Sequence, residues 1–242
     1  MSVLSKRFAA ALLLVATWSC SSLGRGDGTT TIIAWTLERN LVLVDATVGG
    51  RRGSFIVGTA NERTILDPAF EGATAHRGRV GVNLGDRYSA TVDPLRSELG
   101  GIADGILGGD VWRGRSLGID YQRGLLVLGE RLDPITEGVR FRFRGIPRIR
   151  VHIDGVESIA VVDSSSPDTL LLPASRFGAE GRRTVALRIG ATPFDRVDAR
   201  VAPVDEVRVG NRILAHFLVT VDYPRGEVSL WRHGRAPTPS AP

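Results

Sequence analysis

Short runs of alternating apolar and polar residues fill most of the chain. "VGVNLG" (80–85) and "VALRIG" (185–190) are typical. A two-residue period places successive side chains on opposite faces of a strand, so each run reads as β-structure with one face turned inward. Gly, Pro and Asp interrupt the runs at turn-like intervals, and no long 3.6-residue periodicity appears. Short helices are expected after Gly109 and around Ala174 to Phe177. These patterns predict an all-β protein.

The pattern is also written twice. "VDATVGGRRGSFIVGTANERTILDP" (Val44 to Pro68) lies over "IRVHIDGVESIAVVDSSSPDTLLLP" (Ile149 to Pro173) without a gap, an offset of 105 residues. Val44, Ala46 and Val48 fall on Ile149, Val151 and Ile153, while Gly50 falls on Gly155, Val57 on Val162, Thr64 on Thr169 and Pro68 on Pro173. Near the end of each half, "LGIDYQRGLLVL" (117–128) matches "VTVDYPRGEVSL" (219–230) at an offset of 102 residues. Each "DYxRG" predicts a hairpin turn between two strands. Such duplication predicts two lobes, 38–133 and 139–233, joined near "LDPITEG", with "APTPSAP" inside a disordered tail over 234–242.

An apolar strand, a turn holding Asp-Thr/Ser-Gly, and a hydrophobic pair followed by Gly some fifty residues later resemble the pepsin and retropepsin family of aspartic proteases. "DGILGGDVW" (104–112) resembles that last segment, and Val209-Gly210 is a weaker version of it. The resemblance implies a two-lobed acid-protease fold with an internal pseudo-twofold axis, and a cleft between the lobes for an extended peptide. It also implies one aspartate from each lobe on the cleft floor. Chemistry requires both, because two close carboxylates share one proton, one acting as base toward water while the other donates to the substrate carbonyl.

Carried over position by position, the second aspartate lands on Asp163, as a remnant catalytic residue, in "VVDSSSPDTLLLP". Ser164 is an acceptable second residue, but Ser165 replaces the glycine that would let the backbone turn tightly there. In the first lobe, "FIVGTANERTILD" (55–67) has Gly58 where the carboxylate belongs, then Thr59, then Ala60. The strand is expected to remain because the core needs it, although its reactive group is gone. Thr59, Ala60, Ser164 and Ser165 would line the cleft floor. Asp163 can equally be a turn residue, since "DSSSPD" suits a loop whose side chains satisfy their own backbone.

Composition narrows the setting. The 242 residues are 43% hydrophobic with 29 glycines, enough for a real core. At the start, Lys6 and Arg7 precede the apolar run Phe8 to Ala16 and then "TWSC", the layout of an export signal over 1–20. Cys20, the sole cysteine, sits where a bacterial lipoprotein would be cut and lipidated, though Thr17 and Trp18 depart from that pattern. Ordinary cleavage and an uncleaved anchor remain the alternatives. Residues 21–37 are expected to be a tether, placing the protein in the cell envelope, facing the periplasm, with Cys20 its one membrane contact.

The net charge of +5 invites a nucleic-acid reading, yet the basic residues are scattered arginines with acids between them, so no nucleic acid is expected. One cluster stands apart: Arg140, Arg142 and Arg144 alternate with Phe141 and Phe143. His76, His152, His216 and His233 lack metal-ligand spacing, and neither a metal nor any other cofactor is expected. Serines 164 to 166 lack a nucleophile elbow.

Three functions fit these residues. The first is an inactive aspartic-protease-like module that binds an extended peptide or protein segment by strand addition. The second is a working peptidase whose second carboxylate comes from Asp67 or from a dimer. The third is a binder of anionic envelope components through the Arg140 to Arg150 face.

Overall fold

The computed structural model describes residues 30–71, 78–130, 132 and 138–232. The first half runs β1 (Thr31–Ala34), β2 (Thr36–Glu38), β3 (Leu41–Val48), β4 (Arg51–Val57), β5 (Ile65–Leu66), α1 (Pro68–Glu71), β6 (Val80–Leu84), β7 (Tyr88–Val92), β8 (Leu95–Arg96), β9 (Gly105–Leu107), α2 (Gly109–Trp112), β10 (Ser116–Asp120) and β11 (Leu125–Gly129). The second half runs β12 (Val139–Arg142), β13 (Arg148–Ile153), β14 (Val156–Val162), β15 (Leu170–Pro173), α3 (Ala174–Phe177), β16 (Gly181–Ile189), β17 (Thr192–Ala202), β18 (Val207–Val209), α4 (Asn211–Leu214), β19 (Phe217–Asp222) and β20 (Glu227–Arg232). The expectations for the signal over 1–20, Cys20, most of the linker and the 234–242 tail fall outside the described residues, as do His76 and His233.

The two halves are built alike. In each, a long hairpin (β3–β4, β13–β14) takes a third strand in parallel: β9 beside β4, with Val57 opposite Leu107, and β18 beside β14, with Val162 opposite Val209. The hairpin turns are Gly49-Gly50 and Asp154-Gly155, all four at positive φ, the backbone that lets a two-residue loop match the strand twist. The second half closes into a six-stranded barrel, β13-β14-β18-β15-β17-β16, whereas the first half stays open.

A third sheet joins the halves, in the order β1-β11-β10-β19-β20-β12, three strands from each. At its centre Gly118 pairs with Thr220, its own counterpart at the 102-residue offset. Ser116 pairs with Asp222 and Asp120 with Leu218, so the pseudo-twofold axis passes between Gly118 and Thr220. The fold is therefore all-β and two-lobed with an internal repeat.

This sheet corrects one expectation. The tether read over 21–37 cannot hold from Thr31 onward, because β1 pairs along its length with β11, Thr31 opposite Leu128 and Ala34 opposite Leu125. The β-branched run Thr31, Ile32 and Ile33 favours a strand, but its partner lies far along the chain, so the pairing itself was not written locally. Both lobes bury large side chains beneath their sheets. Trp112, Phe55 and Phe217 are almost wholly enclosed, and each such ring contributes about 2–3 kcal/mol on burial. Among the described residues no helix is long and apolar enough to cross a membrane.

Candidate functional site at the lobe boundary

The strands β4 and β14 end in two turns that meet at the pseudo-twofold axis. Gly58 donates its N–H to Leu107 O at 2.9 Å, and Asp163 donates its N–H to Val209 O at 2.9 Å, the same bond in both lobes. The next residues, Thr59 and Ser164, grip each other reciprocally. Thr59 Oγ1 donates to Val162 O (2.6 Å) and accepts from Ser164 N (3.1 Å). Ser164 Oγ donates to Val57 O (2.6 Å) and accepts from Thr59 N (3.0 Å). Both residues are buried. Each hydroxyl has one proton, and each proton is committed to a carbonyl of the other lobe.

The backbone behind each turn is held by a glycine. A Cβ on Gly108 would lie 2.4 Å from Arg63 O, and one on Gly210 would lie 2.1 Å from Asp168 O. No side chain fits either position. Gly210, the weaker motif in sequence, thus does the same work as Gly108.

Asp163 is 3% exposed, and both its oxygens have partners in its own lobe. Oδ1 accepts from Ser165 N at 3.0 Å and Ser165 Oγ at 2.6 Å; Oδ2 receives Arg208 Nη1 at 3.0 Å. The Ser165 contact is the backbone-satisfying turn that the sequence left open for Asp163. Ser165 does not distort that turn as its replacement of glycine suggested; its hydroxyl becomes a partner instead.

The opposite position is filled by neutral groups. A Cβ on Gly58 would lie 2.5 Å from Ile106 Cγ2 and 2.7 Å from Asn61 Oδ1. Asn61 Oδ1 also lies 2.9 Å from Ser165 Oγ, so a polar line runs Asp163, Ser165, Asn61 across the boundary. The single Ser165 proton serves one of its two neighbours at a time. Ile106 and Arg208 are counterparts at the 102-residue offset. One lobe therefore sets Gly58 beside an apolar side chain, and the other sets Asp163 beside a cation. Ala60, the counterpart of Ser165, is buried and brings no hydroxyl.

Asp67, the substitute acid offered by sequence, is engaged elsewhere. Its oxygens accept from Leu99 N (2.7 Å) and Ala69 N (2.8 Å), and these backbone bonds, Leu99 first, hold its carboxyl below the usual value of 3.8. Asp110 is likewise committed, to Thr64 N and Oγ1 at 2.8 and 2.7 Å. The arginine face is mixed in charge: Arg148 pairs with Glu206 and Arg150 with Glu157, while Arg140 and Arg142 stand exposed on β12.

Further along the axis, the Asn211 carboxamide joins three segments. Its Oδ1 accepts from Tyr121 OH at 2.7 Å, and its Nδ2 donates to Asn40 O (2.7 Å) and Ser164 O (2.8 Å). Burial, and secondarily the charge of Asp163, raises the Tyr121 phenol far above its usual value and keeps it a donor. On the other side of the axis lies a pocket of about 400 Å³, bordered by Thr59, Asn61, Gly109, Phe143, Gly145 and Tyr223.

Asn61, Ile106, Arg208 and Asn211 were not singled out from sequence. The offset that aligned the turns could have set Arg208 against Ile106, but nothing in the sequence marks Asn61 as the side chain that fills the Gly58 position.

No family model matches the chain, and no curated protein does. Among solved structures, the crystal structure of aspartic proteinase from Irpex lacteus is similar, with a TM-score of 0.58, 11% identity, and coverage of 84% of this chain and 97% of that one. At that identity the likeness concerns the fold, which is pepsin-like.

Proposed function

We propose that this chain is a catalytically inactive aspartic-protease-like protein that binds an extended peptide or protein segment at the cell envelope. One observation carries the reading: opposite Asp163, the position that a second carboxylate needs is occupied by Asn61 and Ile106. Shared-proton chemistry requires two adjacent carboxylates. Asp163 instead spends its oxygens on Ser165 and Arg208. Asp67, tied to Leu99 and Ala69, gives no support to the peptidase alternative. Export and anchoring through Cys20 rest on the layout of the first twenty residues.

The test is a mixed peptide library incubated with purified protein from acid to neutral pH and read by mass spectrometry, beside an Asp163→Ala control. The expected result is no cleavage by either protein, with uncut peptides retained by the immobilised wild type. Cleavage that disappears in the control overturns the reading.

A further inference from the structure

The internal symmetry makes the 400 Å³ pocket interpretable. Every group around the Asn211 carboxamide has a counterpart there. Ser164 corresponds to Thr59 and Asn40 to Gly145 at the 105-residue offset, and Tyr121 corresponds to Tyr223 at the 102-residue offset. The backbone agrees: Asn40 and Gly145 both turn at positive φ, 63° and 71°. Aromatic support is repeated too, with Trp35 edge-on to Tyr121 at 5.6 Å and Phe143 edge-on to Tyr223 at 6.1 Å. Thr59, Gly145 and Tyr223 all border the pocket.

The element without a match is the carboxamide itself. Asn211 corresponds to Gly109, which also borders the pocket. Space does not explain the glycine, since a Cβ on Gly109 would meet nothing nearer than Asn61 O at 3.4 Å, an ordinary contact. The consequence falls on Tyr223: its hydroxyl is buried and has no hydrogen-bond partner among the described residues, whereas that of Tyr121 has Asn211. Buried polar groups in folded proteins are nearly always paired, so the orphaned hydroxyl of a residue that borders a pocket points to a missing partner there. Burial raises the Tyr223 phenol above its usual value, which keeps the proton on it.

We infer that this pocket recognises a primary carboxamide, the side chain of an asparagine or glutamine in a bound peptide, placed as Asn211 places its own. The carboxamide oxygen accepts from Tyr223 OH, and its two N–H groups donate to the carbonyls of Thr59 and Gly145. Glu62, Arg113, Arg144 and Arg225 also border the pocket, so the glutamate probe tests whether the carboxamide groups or these charges decide what binds. A site built to hydrogen-bond one group rejects an analogue that leaves its own groups unpaired. The carboxamide preference rests on the symmetry alone; only the peptide carrier rests on the proposed function.

The probe is N-acetyl-L-glutamine methylamide, titrated into the full chain by NMR, beside the glutamate counterpart. This small probe separates the two ideas, because it can bind whether or not extended peptides do. The glutamine probe is expected to bind at least tenfold tighter than the glutamate one and to shift the amides of Gly109 and Tyr223. Tyr223→Phe is expected to weaken it about tenfold, the worth of one buried hydrogen bond. Gly109→Asn supplies the carboxamide from the chain, so it is expected to raise the melting temperature and abolish binding. Absence of binding, equal or tighter binding of the glutamate probe, or undiminished binding by Gly109→Asn each overturns the inference.

Discussion

Replacing Thr59 by Val tests how the lobes are locked at the axis. Valine has the shape of threonine, so the change removes a hydroxyl without opening a cavity. Two buried backbone groups of the other lobe lose their partner: Val162 O, which received the hydroxyl proton at 2.6 Å, and Ser164 N, which donated to its oxygen at 3.1 Å. Leaving a buried group unpaired costs about 1–3 kcal/mol, which places the loss at about 2–6 kcal/mol. Against a total stability of about 5–15 kcal/mol that is a large share. Urea unfolding followed by tryptophan fluorescence reads it as a lower midpoint at unchanged slope. Ser164→Ala is expected to cost a similar amount, because it strips Val57 O and Thr59 N. The double variant should lose about 1 kcal/mol less than the two singles together, since the turns part once either hydroxyl is gone. A single-variant loss under about 1 kcal/mol, or strict additivity, refutes the account of a reciprocal lock.

Gly58→Asp is expected to destabilise the protein by about 1–3 kcal/mol through overpacking, because its Cβ would sit 2.5 Å from Ile106 Cγ2; adding Ile106→Ala should recover part of that loss in the same unfolding assay, and no recovery would mean the clash is not with Ile106. Asp67 gives a pH signature. Its folded carboxyl titrates below 3.8, so its contribution is fully present above the unfolded value and is lost as pH falls through the lowered folded one. The stability gap between wild type and Asp67→Asn should therefore be constant near neutrality and narrow below about pH 4; a gap independent of pH would remove Asp67 from its role as acceptor for Leu99 and Ala69.

How much of this was legible in the sequence follows from what a repeat can carry. The offset between Val44 and Ile149 carried the hairpins and both axial turns, because strand period and turn residues are local properties written into each copy. The short helices at Gly109 and Ala174 were legible for the same reason. β1 was only half legible: Thr31, Ile32 and Ile33 favour a strand, but its partner β11 lies far along the chain and nothing local names it. The role of Asn61 was not legible: its approach to both Gly58 and Ser165 depends on two turns meeting in space, and its counterpart, Ser166, does something else, accepting at its hydroxyl from Asp168 N. Arg208 lay between the two cases, in register with Ile106 yet informative only once Asp163 was known to face it.

The axis combines conserved symmetry in its scaffold with broken symmetry in its reactive groups, and the physics of each differs. Thr59 and Ser164 satisfy buried backbone across the boundary, so losing either would unpair groups that water cannot reach. Two carboxylates at the neighbouring positions would do the opposite, because adjacent like charges in a buried site repel and one must stay protonated. Gly58 removes that repulsion, and Arg208 then pairs with the remaining charge at 3.0 Å. Each lobe is balanced by itself, Gly58 with Ile106 and Asp163 with Arg208. On the proposed reading, restoring an aspartate at position 58 alone would rebuild half of a dyad against a partner already paired with a cation. Recovering chemistry would also require removing Arg208, so that Asp163 shares its proton across the axis rather than its charge within the lobe.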